Sequence, residues 1–266
     1  MEGRGFADHT HRSPHGPTDL AQRKSRLSLG DSPGARKPLS DIEHPRSIRS
    51  FVMRGGRITE AQQRALDSLW PKYGLSFEPT PRDLDAVFGR HAPVTLEIGF
   101  GNGENLEALA LAHPDRNYLG VEVHRPGVGR LLLGLEERHV PNARIICHDA
   151  VEVLTHQIAS QTLDEVLILF PDPWPKKRHH KRRLVQAPFV ELVADRLRVG
   201  GVLRFASDWQ PYADAVLQVF SDSPRLGNLA PDGKFAPRPS ERNPTRFEKR
   251  GERLGHDVWD LAFERR

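Results

Sequence analysis

One carboxylate and one large aromatic ring stand between prolines directly after an apolar run of the chain. The run, Leu167 to Phe170, is typical of a buried strand, and it continues as P-D-P-W-P with Asp172 and Trp174 in alternate positions. Three prolines remove three backbone N–H donors, so this turn cannot continue as a strand or a helix. In open α/β sheets, ligands bind beyond the carboxyl ends of the strands. We therefore expect Asp172 and Trp174 to be presented at a binding site.

A dense run of positive charge follows this turn. Of the eight residues from Lys176 to Arg183, six are Lys or Arg, and the other two are His179 and His180. Such a density of charge suits a phosphate backbone, and its position beside an aromatic turn favours contact with a nucleic acid. The alternative is a solvated loop that has no partner.

A glycine-rich turn after another apolar run predicts a nucleoside pocket. It reads E-I-G-F-G-N-G from Glu97 to Gly103, and we expect Gly99 and Gly101 to face a cofactor. Glycine lets the backbone approach a ligand closely, and the following helix points its N-terminus at the same place. A dinucleotide fingerprint would need a further glycine where Glu104 or Leu106 stands. The turn instead suits a nucleoside with a cationic amino-acid end, the shape of S-adenosylmethionine; a turn that serves only helix packing is the alternative.

Two further acidic residues follow the next predicted strands. Glu122 lies 21 residues after Gly101, where a carboxylate can accept both ribose hydroxyls. Asp149 closes the third predicted strand, where it can meet an adenine amino group, although a helix N-cap explains it equally well. Surface acids have no reason to follow successive strand ends. The joint pattern of Glu97, Glu122 and Asp149 therefore favours a cofactor pocket.

The segments that position these residues alternate between short apolar runs and helical patterns, which is typical of a mostly parallel sheet wrapped by helices. The predicted strands are 94–98, 118–123, 143–147, 166–170, 201–206 and 256–263. The predicted helices are 104–112, 126–138, 150–158, 188–197, 208–220 and 245–253. A capping box at Thr59 to Gln62 predicts an earlier helix that Trp70 and Pro71 end, and residues 221–244 are predicted to be loop.

Composition narrows the class of protein. Residues 1–45 are rich in Pro, Ser and Arg without periodicity, which predicts a disordered basic tail before one folded domain, residues 46–266. Cys147 is the only cysteine, so no intramolecular disulfide and no C-x-x-C metal site can form, and we predict no metal. No apolar run approaches the roughly 18 residues of a membrane span. These features predict a cytoplasmic protein without a membrane partner.

Five motifs resemble the bacterial tRNA (guanine-N7)-methyltransferase family. They are L-E-I-G-F-G-N-G at 96–103, G-V-E-V-H at 120–124, C-H-D-A at 147–150, F-P-D-P-W-P-K at 170–176 and T-R-F-E-K-R-G at 245–251. The resemblance runs from about Arg46 to the C-terminus. It implies a Rossmann-like class I domain with a mostly parallel seven-stranded sheet and helices on both faces. It also implies methyl transfer from S-adenosylmethionine to N7 of the guanine at tRNA position 46, in the variable loop. A monomer and a homodimer are both open from the sequence.

The resemblance implies roles for individual residues, with Asp172 as the catalytic residue beside the methyl donor. Contacts to S-adenosylmethionine fall at Glu97, Glu122, Asp149 and Asp172. Substrate contacts fall at Lys176, Asp208, Thr245, Arg246, Phe247 and Glu248. RNA contacts fall at Arg178, His179, His180, Lys181, Arg182 and Arg183. Pro175 departs from the family's usual pattern; it stiffens the turn and leaves the match at Asp172 and Lys176 intact.

The chemistry of guanine N7 fits a site that has one exposed carboxylate. N7 carries a lone pair and no proton, so its methylation needs no general base, and positioning supplies most of the catalysis. A carboxylate can accept hydrogen bonds from guanine N1–H and the exocyclic amine, and it can offset the charge of the methylated ring. We assign these tasks to Asp172 with help from Asp208; an N-cap is the alternative for Asp208. Trp174 either stacks on an extruded base or covers the core.

Other interpretations stay open at this point. An enzyme that methylates an exocyclic amine also fits a D-P-x-x turn, and an RNA-binding module without catalysis is a different class altogether. The intact acids at Glu97, Glu122, Asp149 and Asp172 argue against the second. For Thr245 and Glu248, a helix cap with an acid in the first turn is the alternative to substrate contact.

Overall fold

The structure is a computed structural model that describes residues 57–240, Arg242, Glu248 and 257–266. The predicted tail, the predicted boundary after residue 45 and most of the predicted helix 245–253 lie outside these residues. The strands of the described chain are β1 (Gly74–Leu75), β2 (Val94–Ile98), β3 (Asn117–Val121), β4 (Ala143–Ile146), β5 (Leu163–Leu169), β6 (Leu197–Ser207), β7 (Leu226–Asn228) and β8 (Trp259–Arg265).

The helices follow the predicted alternation. They are α1 (Glu60–Ser68), α2 (Trp70–Tyr73), α3 (Leu84–Phe88), α4 (Glu104–Ala112), α5 (Arg125–Glu137), α6 (Ala150–His156), α7 (Ala187–Arg196), α8 (Gln210–Asp222) and a 3₁₀ helix (Lys177–Arg182). The capping box is confirmed, because the Gln62 amide donates to Thr59 Oγ1 at 3.2 Å and the Thr59 amide donates to Gln62 Oε1 at 2.9 Å. No helix in the described ranges is long and apolar enough to cross a membrane.

One local prediction was confirmed and one was wrong. α1 ends at Ser68, just before Trp70 and Pro71, as predicted, and these two residues begin α2, because proline in the first helical turn has no N–H to lose. Residues 226–228 form β7 inside a segment predicted to be loop. Pairing of β7 with β8 stabilises this strand, and three residues are too short to show a strand periodicity.

The strands form one sheet in the order β1-β4-β3-β2-β5-β6-β8-β7 within the described chain. The pairs from β1 to β6 are parallel, whereas β8 is antiparallel to both β6 and β7. The strand order therefore reverses between β2 and β5, which opens a crevice at their carboxyl ends. The predicted Rossmann-like, mostly parallel fold is confirmed, with eight strands among the described residues where seven were expected.

Apolar clusters cover both faces of this sheet. All five residues of β2 are buried, because neighbouring side chains of a strand point to opposite faces and helices cover each. Residues of α6, α7 and α8 pack with Leu96 and Ile98 on one face. Leucines of α4 and α5 form a second cluster with Tyr118 and Ile145. Glu97, between Leu96 and Ile98, therefore points to the face that α4 and α5 cover.

Candidate active site

The glycine turn after β2 is built for close approach of a ligand. Gly99, Gly101 and Gly103 all have positive φ, at 73°, 59° and 79°, a conformation that side chains disfavour. A Cβ on Gly99 or Gly101 would have nothing within 4 Å, so both positions face open space. From α5, Gly127 packs so closely that its Cβ would lie 2.0 Å from the Gly101 carbonyl oxygen. The turn is thus packed against α5 on one side and open on the side of Gly99 and Gly101, where the predicted cofactor would fit.

Glu122, at the end of β3, holds this turn in place. Its Oε2 accepts a hydrogen bond from the Gly101 amide at 2.9 Å. Its Oε1 accepts from the amides of Val123 at 2.6 Å and His124 at 2.9 Å. A carboxylate has about four lone-pair sites, so these three bonds leave acceptor capacity for a ligand hydroxyl. The predicted ribose contact of Glu122 stays a prediction.

Glu97 is a buried acid with one amide partner. Only 3% of the residue is exposed, and Asn105 Nδ2 of α4 donates to Glu97 Oε2 at 3.1 Å. Burial raises the pKa of the Glu97 carboxyl from 4.5 to about 7; the Asn105 bond opposes this shift, and the charge of Glu122 adds to it. Within the described residues, Asn105 Oδ1 has no hydrogen-bond partner. Sequence reasoning missed Asn105, whose signal is its place in the first turn of α4.

Asp149 caps the helix after β4. Its Oδ1 accepts from the Val151 amide at 2.8 Å, so the N-cap alternative is confirmed, and the adenine contact stays a prediction. The neighbouring His148 stacks on Phe77, with ring centroids 3.8 Å apart and planes 13° from parallel. Phe77 follows β1 and was not predicted to lie near this pocket. Phe77, which precedes all five family motifs in the sequence, thus packs next to Asp149 through the ring of His148.

The proline-rich turn after β5 is strained at both ends. The Phe170 amide still donates to the Ala206 carbonyl at 2.8 Å, but Phe170 has φ 51° and Trp174 has φ 44°. Left-handed conformations are costly for aromatic residues and concentrate at functional sites. Asp172, between them, is exposed, as the sequence predicts.

Trp174 packs against its own loop. The Arg182 guanidinium carbon lies 4.7 Å from the Trp174 ring centroid, and the His179 ring meets it edge-on at 5.8 Å. The ring is half-buried, less presented than Asp172. These contacts join the turn to the 3₁₀ helix, and the stacking of Trp174 on a base stays a prediction.

The basic segment divides into outward and inward side chains. Lys176, Lys177, Arg178 and Lys181 are exposed, as an RNA contact requires. Arg183 is buried, with 8% of the residue exposed. Its Nε donates to the Pro173 carbonyl at 2.9 Å.

Asp208 follows β6, the neighbour of β5. Leu169 pairs with Ala206, so Asp172 and Asp208 stand in loops that leave adjacent strand ends. The N-cap of α8 is Trp209, which makes no side-chain capping bond, so the N-cap alternative for Asp208 was wrong. Trp209, the residue after Asp208, is 39% exposed, and sequence reasoning did not single it out.

Glu248 is the described member of the predicted substrate-binding segment; Thr245, Arg246 and Phe247 lie outside the described residues. It is 1% exposed and pairs with Arg242, whose Nη1 and Nη2 donate to its two oxygens at 2.7 and 3.1 Å. Arg242 Nη2 also donates to Asp260 of β8 at 3.0 Å. Burial raises the pKa of Asp260, and Arg242 opposes that shift. The direct substrate contact of Glu248 stays a prediction, since the observed partners are arginines.

The family model and the curated relatives that match this chain are methyltransferases. A methyltransferase family model matches residues 91–261. The chain is 54% identical over 248 residues to the tRNA (guanine-N(7)-)-methyltransferase of Pseudomonas paraeruginosa, covering 93% of this chain and 99% of the relative. The Stutzerimonas stutzeri enzyme of the same name is 56% identical over 220 residues, 83% of this chain and 92% of that one. A solved 16S rRNA methyltransferase, KamB, is 14% identical and covers 69% of this chain and 93% of its own, with a TM-score of 0.48. The chain belongs to the tRNA (guanine-N(7)-)-methyltransferase family.

Proposed function

We propose that this protein transfers the methyl group of S-adenosylmethionine to N7 of a guanine in tRNA. The observation that carries the proposal is the neighbourhood of two turns: β2 and β5 pair up to Ile98 and Ile168, so the glycine turn and the Asp172 turn leave adjacent strand ends. A cofactor in the first turn and a base at the second would meet in the crevice where the strand order reverses.

Side chains around the glycine turn fit each part of the cofactor. Open space in front of Gly99 and Gly101 accommodates its body, and the free acceptor capacity of Glu122 suits ribose hydroxyls. The buried carboxyl of Glu97 suits the ammonium group of the amino-acid end, because a cation there would favour the ionised acid. Asp149 would accept from the adenine amine with the oxygen that does not cap α6. The cofactor supplies an electrophilic methyl group on a sulfonium.

In this proposal Asp172 recognises the guanine through hydrogen bonds. It is exposed at the crevice, and its carboxylate can accept hydrogen bonds from N1–H and the exocyclic amine of the base. Adenine offers neither donor in that arrangement, so the pairing selects guanine. The same negative charge offsets the positive charge that grows on the ring during methyl transfer. Asp208, whose side chain does not cap α8, would be the second acceptor of hydrogen bonds from the guanine.

The tRNA would lie over the exposed part of the basic segment. Lys176, Lys177, Arg178 and Lys181 provide four outward cations next to the Asp172 turn. The guanine at tRNA position 46, in the variable loop, is the target that the family motifs favour. A cytoplasmic location and a monomeric or homodimeric state are parts of the same proposal.

Methylation of unmodified tRNA tests this function. The protein is incubated with labelled S-adenosylmethionine and a tRNA transcript, and the product is located by alkali-induced cleavage at 7-methylguanosine. We expect one cleavage site in the variable loop, which is lost when guanosine 46 of the transcript is replaced by adenosine. Label in a nucleoside that resists cleavage would show methylation of another atom, such as an exocyclic amine, and would refute the proposal.

A further inference from the structure

Arg183 ends the basic segment, but its side chain leads into the protein. It has 8% of its surface exposed, whereas Lys176, Arg178 and Lys181 of the same segment are exposed. Its own amide donates to the His180 carbonyl at 2.9 Å and closes the 3₁₀ helix. A guanidinium buried to this extent offers little surface to a phosphate.

The contacts of Arg183 join two parts of the candidate site. Its Nε donates to the Pro173 carbonyl at 2.9 Å, in the turn that carries Asp172. Its guanidinium carbon lies 4.6 Å from the ring centroid of Tyr212, a fully buried residue of α8. The Tyr212 hydroxyl in turn accepts from the Val185 amide at 3.3 Å. Arg183 therefore links the turn after β5 to the helix that follows Asp208.

The turn needs such a link because it has few backbone bonds of its own. Pro171, Pro173 and Pro175 have no N–H to donate, and the residues at both ends, Phe170 and Trp174, hold left-handed conformations. Strained backbone persists only where the surrounding structure over-determines it. A bond to the carbonyl of Pro173 acts on the residue next to Asp172.

We propose that Arg183 is a positioning residue, which fixes the turn that presents Asp172 and makes no contact with the RNA backbone. The proposal rests on the proposed role of Asp172. It separates Arg183 from the outward cations of its own segment. Lysine should not replace it, because the guanidinium lies over the Tyr212 ring while its Nε donates to the Pro173 carbonyl, and an ammonium cannot make both contacts with one planar group.

Kinetics of Arg183→Lys test the proposal while positive charge is kept. We expect kcat to fall at least tenfold, with the Kd for tRNA and the salt dependence of binding within twofold of the wild type. Arg178→Ala is the matched comparison on the outward side, and its main effect should be a higher Kd for tRNA. Wild-type kcat in Arg183→Lys, or a loss of tRNA affinity as the main effect, would overturn the proposal.

Chemical modification of the wild-type protein provides a second test that does not depend on the folding of a variant. Phenylglyoxal modifies accessible arginines, and peptide mass spectrometry reports each site. We expect Arg183 to be protected with and without tRNA, and Arg178 to react in the free protein and to be protected by tRNA. An Arg183 that reacts in the free protein and is shielded by tRNA would contradict the proposal. This readout needs no methylation, so a failure of the proposed function would be distinguishable.

Discussion

The guanidinium carbon of Arg242 lies 5.5 Å from the ring centroid of Phe170, the first residue of the turn that carries Asp172. Arg242 also bonds Glu248 and Asp260, so the three charged groups form one network under this turn. A cavity of about 80 Å³ extends from Arg242 to Asn105, the partner of Glu97. Arg242 thus contacts the turn that carries Asp172 and lines one cavity with Asn105, the partner of Glu97.

This network predicts a structural effect of Glu248→Gln. Removing one partner of a buried ion pair typically costs about 3 kcal/mol or more, because the other charge is left poorly paired. We expect a loss of that order in the free energy of unfolding, measured in urea. The double variant Arg242→Met with Glu248→Met should lose less free energy of unfolding than the sum of the losses of the single variants Arg242→Met and Glu248→Met. Unchanged stability together with lost activity would instead support a direct contact between Glu248 and the substrate.

The sequence allowed prediction of the elements but not of the side-chain directions around the site. β2 follows from a run of apolar residues, and the capping box at Thr59 follows from hydrogen bonds between residues three positions apart. Both signals are local in the sequence. By contrast, Arg183 lies against Tyr212, 29 positions along the chain, and Arg242 bonds Asp260, 18 positions along the chain. Such long-range partners leave no local pattern, so Arg183 received the same predicted role, RNA contact, as the exposed Arg178 and Lys181.

Asp172→Ala should abolish most of the methylation without unfolding the protein. The side chain is exposed, so its removal leaves no cavity in the core. If the carboxylate holds guanine and offsets the developing charge, kcat should fall about 100-fold or more. The affinities for S-adenosylmethionine and for tRNA, measured by calorimetry and filter binding, should stay within a few-fold of the wild type. Near-normal turnover would remove Asp172 from the mechanism.

Glu97 should make the stability of the cofactor-free protein depend on pH. The folded pKa, about 7, exceeds the ordinary value of 4.5, so between these pH values the folded state binds a proton that the unfolded state has lost. The stability that the protonated Glu97 carboxyl gives to the folded state is therefore fully present below about pH 4.5 and is lost as the pH rises to 7. A shift of this size corresponds to about 3 kcal/mol.

The variant Glu97→Gln isolates this contribution. Its amide stays neutral, so we expect it to be more stable than the wild type by up to about 3 kcal/mol at pH 8 and similar to it near pH 4.5. Urea unfolding of both proteins across this range measures the difference. Parallel stability curves for the two proteins would show that Glu97 does not titrate in this window.

Binding of a cationic ligand beside Glu97 should release a proton. An ammonium group near the carboxyl favours its ionised form and so lowers the raised pKa. Titration calorimetry of S-adenosylmethionine at pH 6.5, in buffers of different ionisation enthalpy, should therefore show proton release, and the affinity should rise between pH 5.5 and 7.5. In Glu97→Gln, both effects should vanish. Proton release that persists in the variant would assign it to another group.

The outward cations should account for the salt dependence of tRNA binding. Each phosphate contact contributes nearly one unit to the slope of log K against log salt concentration. Arg178 and Lys181 are both exposed, so the double change to alanine should reduce the magnitude of that slope by about 1 to 2. Lys72→Ala is the control, because Lys72 pairs with Glu136 at 2.5 Å outside this segment, and its slope should match the wild type. An unchanged slope in the double variant would place the main phosphate contacts elsewhere on the protein.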